Sequence, residues 1–339
     1  MKRFCLFDVS NLVYRAAFGG GTHRSGGPSD EDDATNLALA TAIRSMRVPF
    51  NRFKATHSVM CFDSYSWRKE ILDGYKSSRA ARSESDQNLY QGIRLVIDEF
   101  RGFLIGNSNS TVLWKNMCEA DDLIARFIAL HPDDEHVIVS SDSDFKQLIS
   151  PKVSLYNATS GILISDDGVY KNDGTKIKRG TPTKVIHGDE WEVVMDKDGK
   201  PERIDPKWLL FRKIMDGDSS DDVPPTKPPR MKTKLLEEAY RFRGGAAWND
   251  LMATKRIDLD GSPTVAELYD LHSLLIDLSQ IPDPIKDEAD YHIAEEIGKP
   301  QKSGLGMKFM VFCRDRRMVN LGKDADRYVP MLAQGYAHT

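Results

Sequence analysis

The chain has 339 residues, of which 40% are hydrophobic and 29% charged, a composition typical of soluble globular proteins and too apolar for a wholly disordered one. Its 47 basic and 51 acidic residues give a formal net charge of −4, which disfavours a polyanionic partner unless the local charge is different. No stretch approaches 18 consecutive apolar residues and Asp8 interrupts the apolar start, so we expect a cytoplasmic protein without a membrane span or signal peptide.

Short apolar runs that end near acidic residues alternate with helix-like stretches through the first 150 residues. The runs lie at residues 3–7, 57–62, 111–114 and 136–139, and they precede Asp8, Asp63, Glu119 and Asp142. Stretches with the helical period separate them, chiefly at residues 11–18, 34–46, 89–103 and 120–130. This alternation predicts an α/β fold with a mainly parallel central sheet and helices on both faces. Ligands of such sheets collect at the carboxyl ends of the strands, where the acids stand.

The other segments of the chain are a glycine-rich run, a β-rich insertion and a helical region. The glycine-rich run at residues 19–28 lacks a phosphate-loop pattern, which argues against a nucleotide cradle. Asp-Gly turns and a β-rich run at 191–195 predict a β-rich insertion at residues 160–204, after a core at 1–159. The pattern is mostly helical over residues 205–339, with predicted helices at 208–215, 232–241, 264–278, 287–297 and 307–316. The four cysteines form no CxxC pair and are expected to be buried, reduced thiols.

Nine acidic residues are candidates for a metal site, namely Asp8, Asp63, Glu119, Asp121, Asp122, Asp142, Asp144, Asp218 and Asp221. Each group also has a simpler interpretation: an acidic first helical turn at 119–122, a helix N-cap at 142–144 and a solvated loop at 216–222. Nine carboxylates at one sheet edge would repel one another unless cations lay between them, and oxygen ligands favour Mg²⁺ or Mn²⁺. Two such ions about 4 Å apart suit in-line phosphoryl chemistry.

Two basic stretches are candidates for nucleic-acid contacts. The first combines basic and aromatic side chains, with Arg68, Tyr75, Lys76, Arg79 and Arg82 as candidates to hold a phosphate and an unstacked base. The second lies beside prolines and supplies Lys227, Arg230, Lys232 and Lys234 as candidate contacts to a phosphate backbone. A solvated charged loop is the alternative for the first stretch.

These motifs, in this order, resemble the 5′-nuclease superfamily of flap endonucleases and 5′→3′ exonucleases, especially its phage branch, which includes phage ribonuclease H enzymes. The resemblance covers about residues 1–240 and rests on Phe7-Asp8-Val9-Ser10-Asn11-Leu12, Phe62-Asp63, Tyr75-Lys76-Ser77-Ser78-Arg79, Glu119-Ala120-Asp121-Asp122, Asp142-Ser143-Asp144 and Gly217-Asp218-Ser219-Ser220-Asp221. Each motif is weak alone, and the ordered set is specific.

The resemblance implies a role for each matching residue. The first metal ion would be held by Asp8, Asp63, Glu119 and Asp121, and the second would be surrounded by Asp122, Asp142, Asp144, Asp218 and Asp221. Lys76 and Arg79 match the pair that engages the scissile phosphate, and Tyr75 matches the aromatic residue that stacks on a terminal base. Their segment, about residues 64–90, would form an arch over the site.

One part of the chain departs from the family pattern. After Asp221 the family usually continues into a glycine-rich helix-hairpin-helix, whereas residues 222–230 read Asp-Val-Pro-Pro-Thr-Lys-Pro-Pro-Arg. Glycines allow a backbone to approach phosphate closely, so a degenerate helix-hairpin-helix is expected to rely on its basic side chains instead. Residues 205–339 would then complete the metal site and bind duplex DNA.

The sequence therefore predicts a metal-dependent 5′ nuclease with two Mg²⁺ ions, for which Mn²⁺ could substitute. Its expected substrates are duplex, nicked or flapped DNA, with RNA primers in RNA–DNA hybrids as a further candidate. A single-strand-binding protein or a polymerase is a candidate partner, and the compartment would be the cytoplasm of a bacterium or a phage-infected host. Two alternatives stay open: a PIN-type endoribonuclease, and a catalytically silent protein that binds branched DNA.

Overall fold

A computed structural model gives the structure of the chain and describes residues 1–19, 31–80, 84–177 and 205–335, with only the backbone described at 31–32, 79–80 and 84–86. The chain divides into two compact units. Unit 1 comprises Met1–Tyr65, Arg82–Ile204 and Asp283–Thr339, and unit 2 comprises Ser66–Ala81 and Asp205–Pro282. The glycine-rich run beyond Gly19, Arg82 and the β-rich run at 191–195 lie outside the described residues.

Unit 1 contains a single sheet of seven strands within the described residues. The strands are β1 (Arg3–Asp8), β2 (His57–Cys61), β3 (Thr111–Leu113), β4 (Glu135–Val139), β5 (Val153–Asn157), β6 (Ile162–Ser165) and β7 (Gly168–Tyr170). Their order across the sheet is β3-β2-β1-β4-β5-β6-β7. The pairs from β3 to β5 are parallel, and β6 and β7 add as an antiparallel hairpin. The expectation of a mainly parallel α/β sheet is confirmed.

Twelve α-helices lie in the described part of the chain. Unit 1 holds α1 (Val9–Gly19), α2 (Glu31–Arg52), α3 (Glu84–Asn107), α4 (Ala120–Leu130), α9 (Asp283–Ile297), α10 (Leu305–Asp315), α11 (Val319–Lys323) and α12 (Val329–Ala333). Unit 2 holds α5 (Pro206–Asp216), α6 (Thr233–Arg241), α7 (Ala246–Ala253) and α8 (Val265–Ile276). None of the described helices is both long and apolar enough to cross a bilayer.

The central strand β1 is covered on both faces, as its nearly continuous apolar sequence requires. Cys5 and Phe7 belong to a core that α1, α2 and α3 share with the last helices. Phe4 points to the opposite face and meets Phe127 of α4 edge-on, with the ring centroids 4.9 Å apart. Helices therefore lie on both faces of the sheet. All four cysteines are buried and free, as expected.

Three of the predicted segments are divided differently in the structure. Residues 162–170 of the predicted β-rich insertion form the β6–β7 hairpin, which pairs with β5 and so extends the main sheet. Helix α3 of unit 1 begins at Glu84, within the segment of about 64–90 for which an arch is expected. The helical region predicted over 205–339 is divided at Asp283, and α9 to α12 join unit 1 instead. Helical periodicity identifies a helix but not the body against which it packs.

Candidate active site

Asp8 lies where the strand order of the sheet reverses. Strand β1 pairs with β2 on one side and with β4 on the other, with Asp8 level with Cys61 and Phe7 level with Val139. Crevices at such reversals, outside the carboxyl ends of the strands, are the usual ligand sites of open α/β sheets. Asp8 ends β1, Asp63 follows β2 by two residues and Asp142 follows β4 by three. The fold thus brings three of the predicted acids to one edge.

The carboxyl group of Asp8 is buried, with a relative exposure of 6%. Burial raises its pKa well above the ordinary value, and the negative charges of Asp63 and Asp142 raise it further. The Ser140 hydroxyl opposes this shift by donating to Oδ2 over 2.8 Å, and the Asn11 backbone N–H donates to Oδ1 over 3.2 Å. A cation placed among these carboxylates would favour their charged forms.

The exposed acids Asp63 and Asp142 are held by backbone groups. Asp63 Oδ1 accepts the Ala120 N–H over 2.9 Å, which joins the end of β2 to the first turn of α4. Asp142 Oδ1 accepts the Asp144 N–H over 2.9 Å, and the Asp142 N–H donates to Ser140 Oγ over 3.0 Å. Both carboxylates therefore have fixed positions at the edge of the sheet.

The acids at the start of α4 form its cap, as the simpler interpretation of the sequence expects. Asp122 is fully buried and its Oδ2 accepts the Glu119 N–H over 3.0 Å, while Asp121 Oδ1 accepts the Asp122 N–H over 2.8 Å. Carboxylates near a helix N-terminus are stabilised by its unpaired N–H groups and its dipole.

The donor chemistry of this edge fits a hard divalent cation, although the ligands are not assembled around one. Among the residues that the structure describes, no three Asp, Glu, His or Cys side chains gather closely enough to hold a metal ion. The acids of unit 1 that meet at the edge nevertheless offer only carboxylate oxygens, and burial, together with the charges of Asp63 and Asp142, raises the pKa of Asp8.

The predicted residues of unit 2 form a second group around Asp221. Its Oδ2 accepts the Tyr75 hydroxyl over 3.0 Å and lies 3.5 Å from Lys76 Nζ. The Lys76 N–H donates to the Asp221 carbonyl over 3.0 Å, and Lys76 has a left-handed φ of 57°. The Ser78 N–H donates to Asp222 Oδ2 over 2.8 Å. Residues 75–78 are thus bound to the loop that follows α5.

Asp218 lies in the same loop and is paired with a cation. Its carboxylate is 2.9 Å from Lys213 Nζ and accepts the N–H and hydroxyl of Ser220 over 2.9 and 2.6 Å. Burial alone would raise the pKa of Asp218, but the Lys213 ammonium and the Ser220 donors outweigh it and hold the pKa below its ordinary value. The loop closes tightly after Gly217, where φ is 76° and an added Cβ would meet the Val223 and Pro224 backbone at 2.6 Å.

Two of the predicted DNA contacts are buried side chains. Arg68 is only 1% exposed, its Nε donates to the Leu275 carbonyl over 2.8 Å, and its guanidinium lies 4.6 Å from the centre of the Trp67 ring. Tyr75 is 4% exposed and packs with the buried Ile214 and Leu275. Neither side chain is presented for a phosphate or a terminal base. Both instead hold residues 66–81 within unit 2.

The remaining basic candidates differ in their surroundings. Lys227 is ion-paired with Asp216, whereas Arg230, Lys232 and Lys234 are exposed between α5 and α6 or in the first turn of α6. The structure does not describe the side chain of Arg79, and Arg82 lies outside the described residues.

Sequence reasoning missed the polar residues that position the acids. Ser140 is fully buried and contacts both Asp8 and Asp142, as described above. Asn11 Oδ1 accepts the Ser141 hydroxyl over 2.7 Å, and Ser10 Oγ accepts the Asp63 N–H over 3.2 Å. The position of Ser140 directly after an apolar strand, two residues before an acid, was the available signal.

Comparisons with known proteins agree with this architecture. DNA polymerase I of Rhizobium leguminosarum is 31% identical to this chain over 190 residues. This segment is 54% of this chain but only 15% of that polymerase. A 5′-3′ exonuclease of Bacillus subtilis is 27% identical over 242 residues, 70% of each chain. The bacteriophage T5 flap endonuclease, crystallised with DNA and metal ions, covers 87% of this chain and 99% of its own with a TM-score of 0.55 and 17% identity. The likeness to the T5 flap endonuclease shows that the two chains share a fold.

A family model described as "5′-3′ exonuclease, N-terminal resolvase-like domain" matches residues 3–179. The matched segment is more than half of the chain and contains the whole sheet, from β1 to β7, together with Asp8, Asp63, Glu119 and Asp142. The chain therefore belongs to the 5′-3′ exonuclease family and carries its N-terminal resolvase-like domain.

Proposed function

We propose that the chain is a divalent-metal-dependent nuclease that hydrolyses phosphodiester bonds at or near the 5′ ends of duplex, nicked or flapped DNA. The observation that carries this proposal is the meeting of Asp8, Asp63 and Asp142 at the carboxyl edge of the sheet, where burial and then the negative charges of Asp63 and Asp142 raise the pKa of Asp8. A cluster of this kind is costly unless it serves a cation.

The metal ions are proposed to be Mg²⁺, with Mn²⁺ as a substitute. Two such ions would supply charge neutralisation at the scissile phosphate and activation of the attacking water. Asp8, Asp63, Glu119 and Asp121 are the proposed ligands of one ion, and Asp122, Asp142 and Asp144 those of the other. Ser140 would keep Asp8 and Asp142 in fixed positions during the reaction, because its hydroxyl is hydrogen-bonded to both residues.

Apart from Arg68 and Tyr75, which are buried, the residues of unit 2 keep their predicted roles as part of the proposal. Asp218 and Asp221 would contribute to the second ion, and Lys76 and Arg79 would stabilise the charge that develops on the phosphate. Arg230, Lys232 and Lys234 would hold the duplex backbone, which their exposure supports.

The names of the similar proteins support a DNA substrate. They include a 5′-3′ exonuclease, and a flap endonuclease whose crystal structure contains DNA and metal ions. The similarity to part of a DNA polymerase I supports a role in replication, beside a polymerase. For RNA–DNA hybrids, we propose that the chain removes the RNA primer.

A substrate panel tests this function. The purified chain would be incubated with Mg²⁺ and with a 5′-flapped duplex, a nicked duplex and a single-stranded RNA, each labelled at the 5′ end and, in a parallel set, at the 3′ end. We expect cleavage of the two DNA substrates near the 5′ end, with 5′-phosphates on the products. Cleavage of the RNA alone would indicate a PIN-type ribonuclease, and tight flap binding without cleavage would indicate a silent DNA-binding protein.

A further inference from the structure

A cavity of about 480 Å³ lies at the opposite end of the sheet from Asp8. Its lining includes Arg3, Glu135 and Val153, which are the first residues of β1, β4 and β5. Because these strands are parallel, their first residues all lie at the amino edge, whereas Asp8 and Asp142 lie at the carboxyl edge. The cavity therefore belongs to unit 1 but not to the candidate active site.

The lining of the cavity is strongly cationic. Arg3, Arg52, Lys54 and Lys152 contribute positive charge, and Glu135 is the one acidic residue of the described lining. Glu135 is already paired with Arg3, with 2.5 Å between Oε2 and Nε. The local charge of this cavity is opposite in sign to the formal net charge of the chain, which is −4. An anion is the ligand that such a field attracts.

The two arginines are held in place before any ligand binds. Arg3 is fixed by Glu135 and by the Phe53 carbonyl, which accepts from Nη1 over 2.8 Å. The guanidinium of Arg52 lies over the rings of Phe53 and Tyr156, 5.2 and 5.4 Å from their centres. Guanidinium groups fixed in this way lose little entropy when they bind a phosphate. Within the described ranges, Arg3 Nη2 donates to no protein group, so it can donate to a ligand.

The lysines and the floor of the cavity add two different kinds of contact. Lys54 and Lys152 have exposed side chains, and the Nζ of Lys152 donates to the Pro132 carbonyl over 3.1 Å and lies 3.7 Å from the Asp133 carboxylate. Both ammonium groups carry positive charge that attracts an anion. Phe53, Val137 and Leu163 provide apolar surface, and Ser154 adds a hydroxyl group. A ligand that matches both parts carries a charged group beside a flat apolar group and a sugar-like hydroxyl. The volume lies within the range of small-molecule pockets, about 300–1,000 Å³.

We propose that this cavity binds a nucleoside 5′-monophosphate. The phosphate would lie among Arg3, Lys54 and Lys152, and the base against Phe53, Val137 and Leu163. A polynucleotide fits less well, because its successive phosphates require cations along an extended track, and these cations surround one concavity. The proposal rests on unit 1 alone and does not depend on the nuclease activity.

Calorimetric titration with deoxyadenosine 5′-monophosphate tests the site. The full chain would be titrated in EDTA, as wild type and as Lys54→Glu, Lys152→Glu and Lys323→Glu. Lys323 is an exposed lysine of α11 outside the cavity lining and serves as the matched control. We expect at least tenfold weaker binding for each cavity variant and less than a twofold change for the control. Equal binding by all four proteins, with unfolding midpoints that match, would overturn the proposal.

Further titrations identify the ligand class. Deoxyadenosine and inorganic phosphate are each expected to bind at least tenfold more weakly than the nucleotide, since each makes half of the contacts. If inorganic phosphate binds as tightly as the nucleotide, the cavity is a simple anion site and the nucleotide proposal is wrong. If an octathymidylate binds more tightly than the nucleotide, the cavity is part of a surface that binds polynucleotides. Asp142→Asn is expected to bind the nucleotide normally, whereas loss of binding in that variant would place the ligand at the acidic edge and overturn the assignment.

Discussion

The carboxylate of Asp63 caps helix α4 through the backbone N–H of Ala120, which donates to Oδ1 over 2.9 Å. The same carboxylate contributes to the raised pKa of Asp8. One side chain at the end of β2 therefore has a structural partner in the helix and an electrostatic partner in β1. Substitutions of Asp63 can separate the two roles.

Asp63→Asn should remove the charge and keep the cap, because an amide oxygen can still accept from Ala120. We expect its free energy of unfolding to stay within about 0.5 kcal/mol of the wild type, whereas Asp63→Ala should lose about 1 kcal/mol. Both variants should require far more Mg²⁺ for cleavage. Urea unfolding and a Mg²⁺ titration of cleavage measure the two effects, and an unchanged Mg²⁺ requirement in Asp63→Asn would remove it from the ligand set.

Ser140→Ala should weaken the positioning of both Asp8 and Asp142. The variant loses the hydrogen bond to Asp8 and the acceptor for the Asp142 N–H in a fully buried position, so we expect a loss of about 1–3 kcal/mol in the free energy of unfolding. Half-maximal cleavage should also need more Mg²⁺. The matched control is Ser141→Ala, whose hydroxyl contacts Asn11 instead, and equal Mg²⁺ requirements in the two variants would refute a positioning role for Ser140.

Arg68→Ala should destabilise unit 2 rather than weaken DNA binding. The change removes a buried side chain and leaves the Leu275 carbonyl without this donor, at a cost of about 2–4 kcal/mol. The neighbouring exposed side chain of Lys69 can be removed in Lys69→Ala for less than about 0.5 kcal/mol. Urea unfolding and DNA binding by fluorescence anisotropy distinguish the roles. Weaker DNA binding without destabilisation would restore Arg68 as a DNA contact.

His272 should make the stability of unit 2 depend on pH. Burial, together with the positive charge of Arg256, lowers the pKa of His272 from 6.5 to about 4. Thr226 donates its hydroxyl to the Ile214 carbonyl, so His272 Nδ1 must donate to Thr226 Oγ1 across their 2.7 Å contact. As the pH falls, His272 is protonated in the unfolded chain before it is protonated in the folded chain. The free energy of unfolding is therefore highest above pH 6.5 and declines as the pH falls towards 4.

The expected loss across this window approaches about 3 kcal/mol, since each pKa unit corresponds to about 1.36 kcal/mol. Unfolding free energies of the wild type and His272→Gln between pH 7.5 and 4 measure it, because the difference between the two proteins cancels most other titrations. A difference that stays constant over the whole range would show that His272 is not buried in its neutral form.

The sequence predicted the sheet and the position of its acids because both follow from local patterns. Apolar runs that end in acids define parallel strands, and the carboxyl ends of such strands share one edge. Helix α4 was predicted at 120–130 and spans Ala120–Leu130, since its period and its acidic first turn are both local signals. The order of the motifs indicated the family, and the match over residues 3–179 confirms that family.

The features that the sequence did not indicate are contacts between residues that are distant in sequence. Arg68 bonds to a carbonyl 207 positions away and Tyr75 to a carboxylate 146 positions away, so nothing near either residue indicated burial. An isolated basic segment with an aromatic residue has the same composition whether it faces DNA or a protein core. The assignment of α9 to α12 to unit 1 is likewise a property of packing rather than of periodicity.

The most direct test of the account compares cleavage and binding of a 5′-flapped duplex by the wild type and Asp142→Asn. Cleavage is measured in Mg²⁺, and binding is measured by anisotropy in EDTA. We expect the variant to lose cleavage while it binds the flap nearly as tightly as the wild type, because Asp142 is proposed to act on the metal rather than on the DNA. Unchanged turnover in Asp142→Asn would contradict a metal site at the carboxyl edge of the sheet.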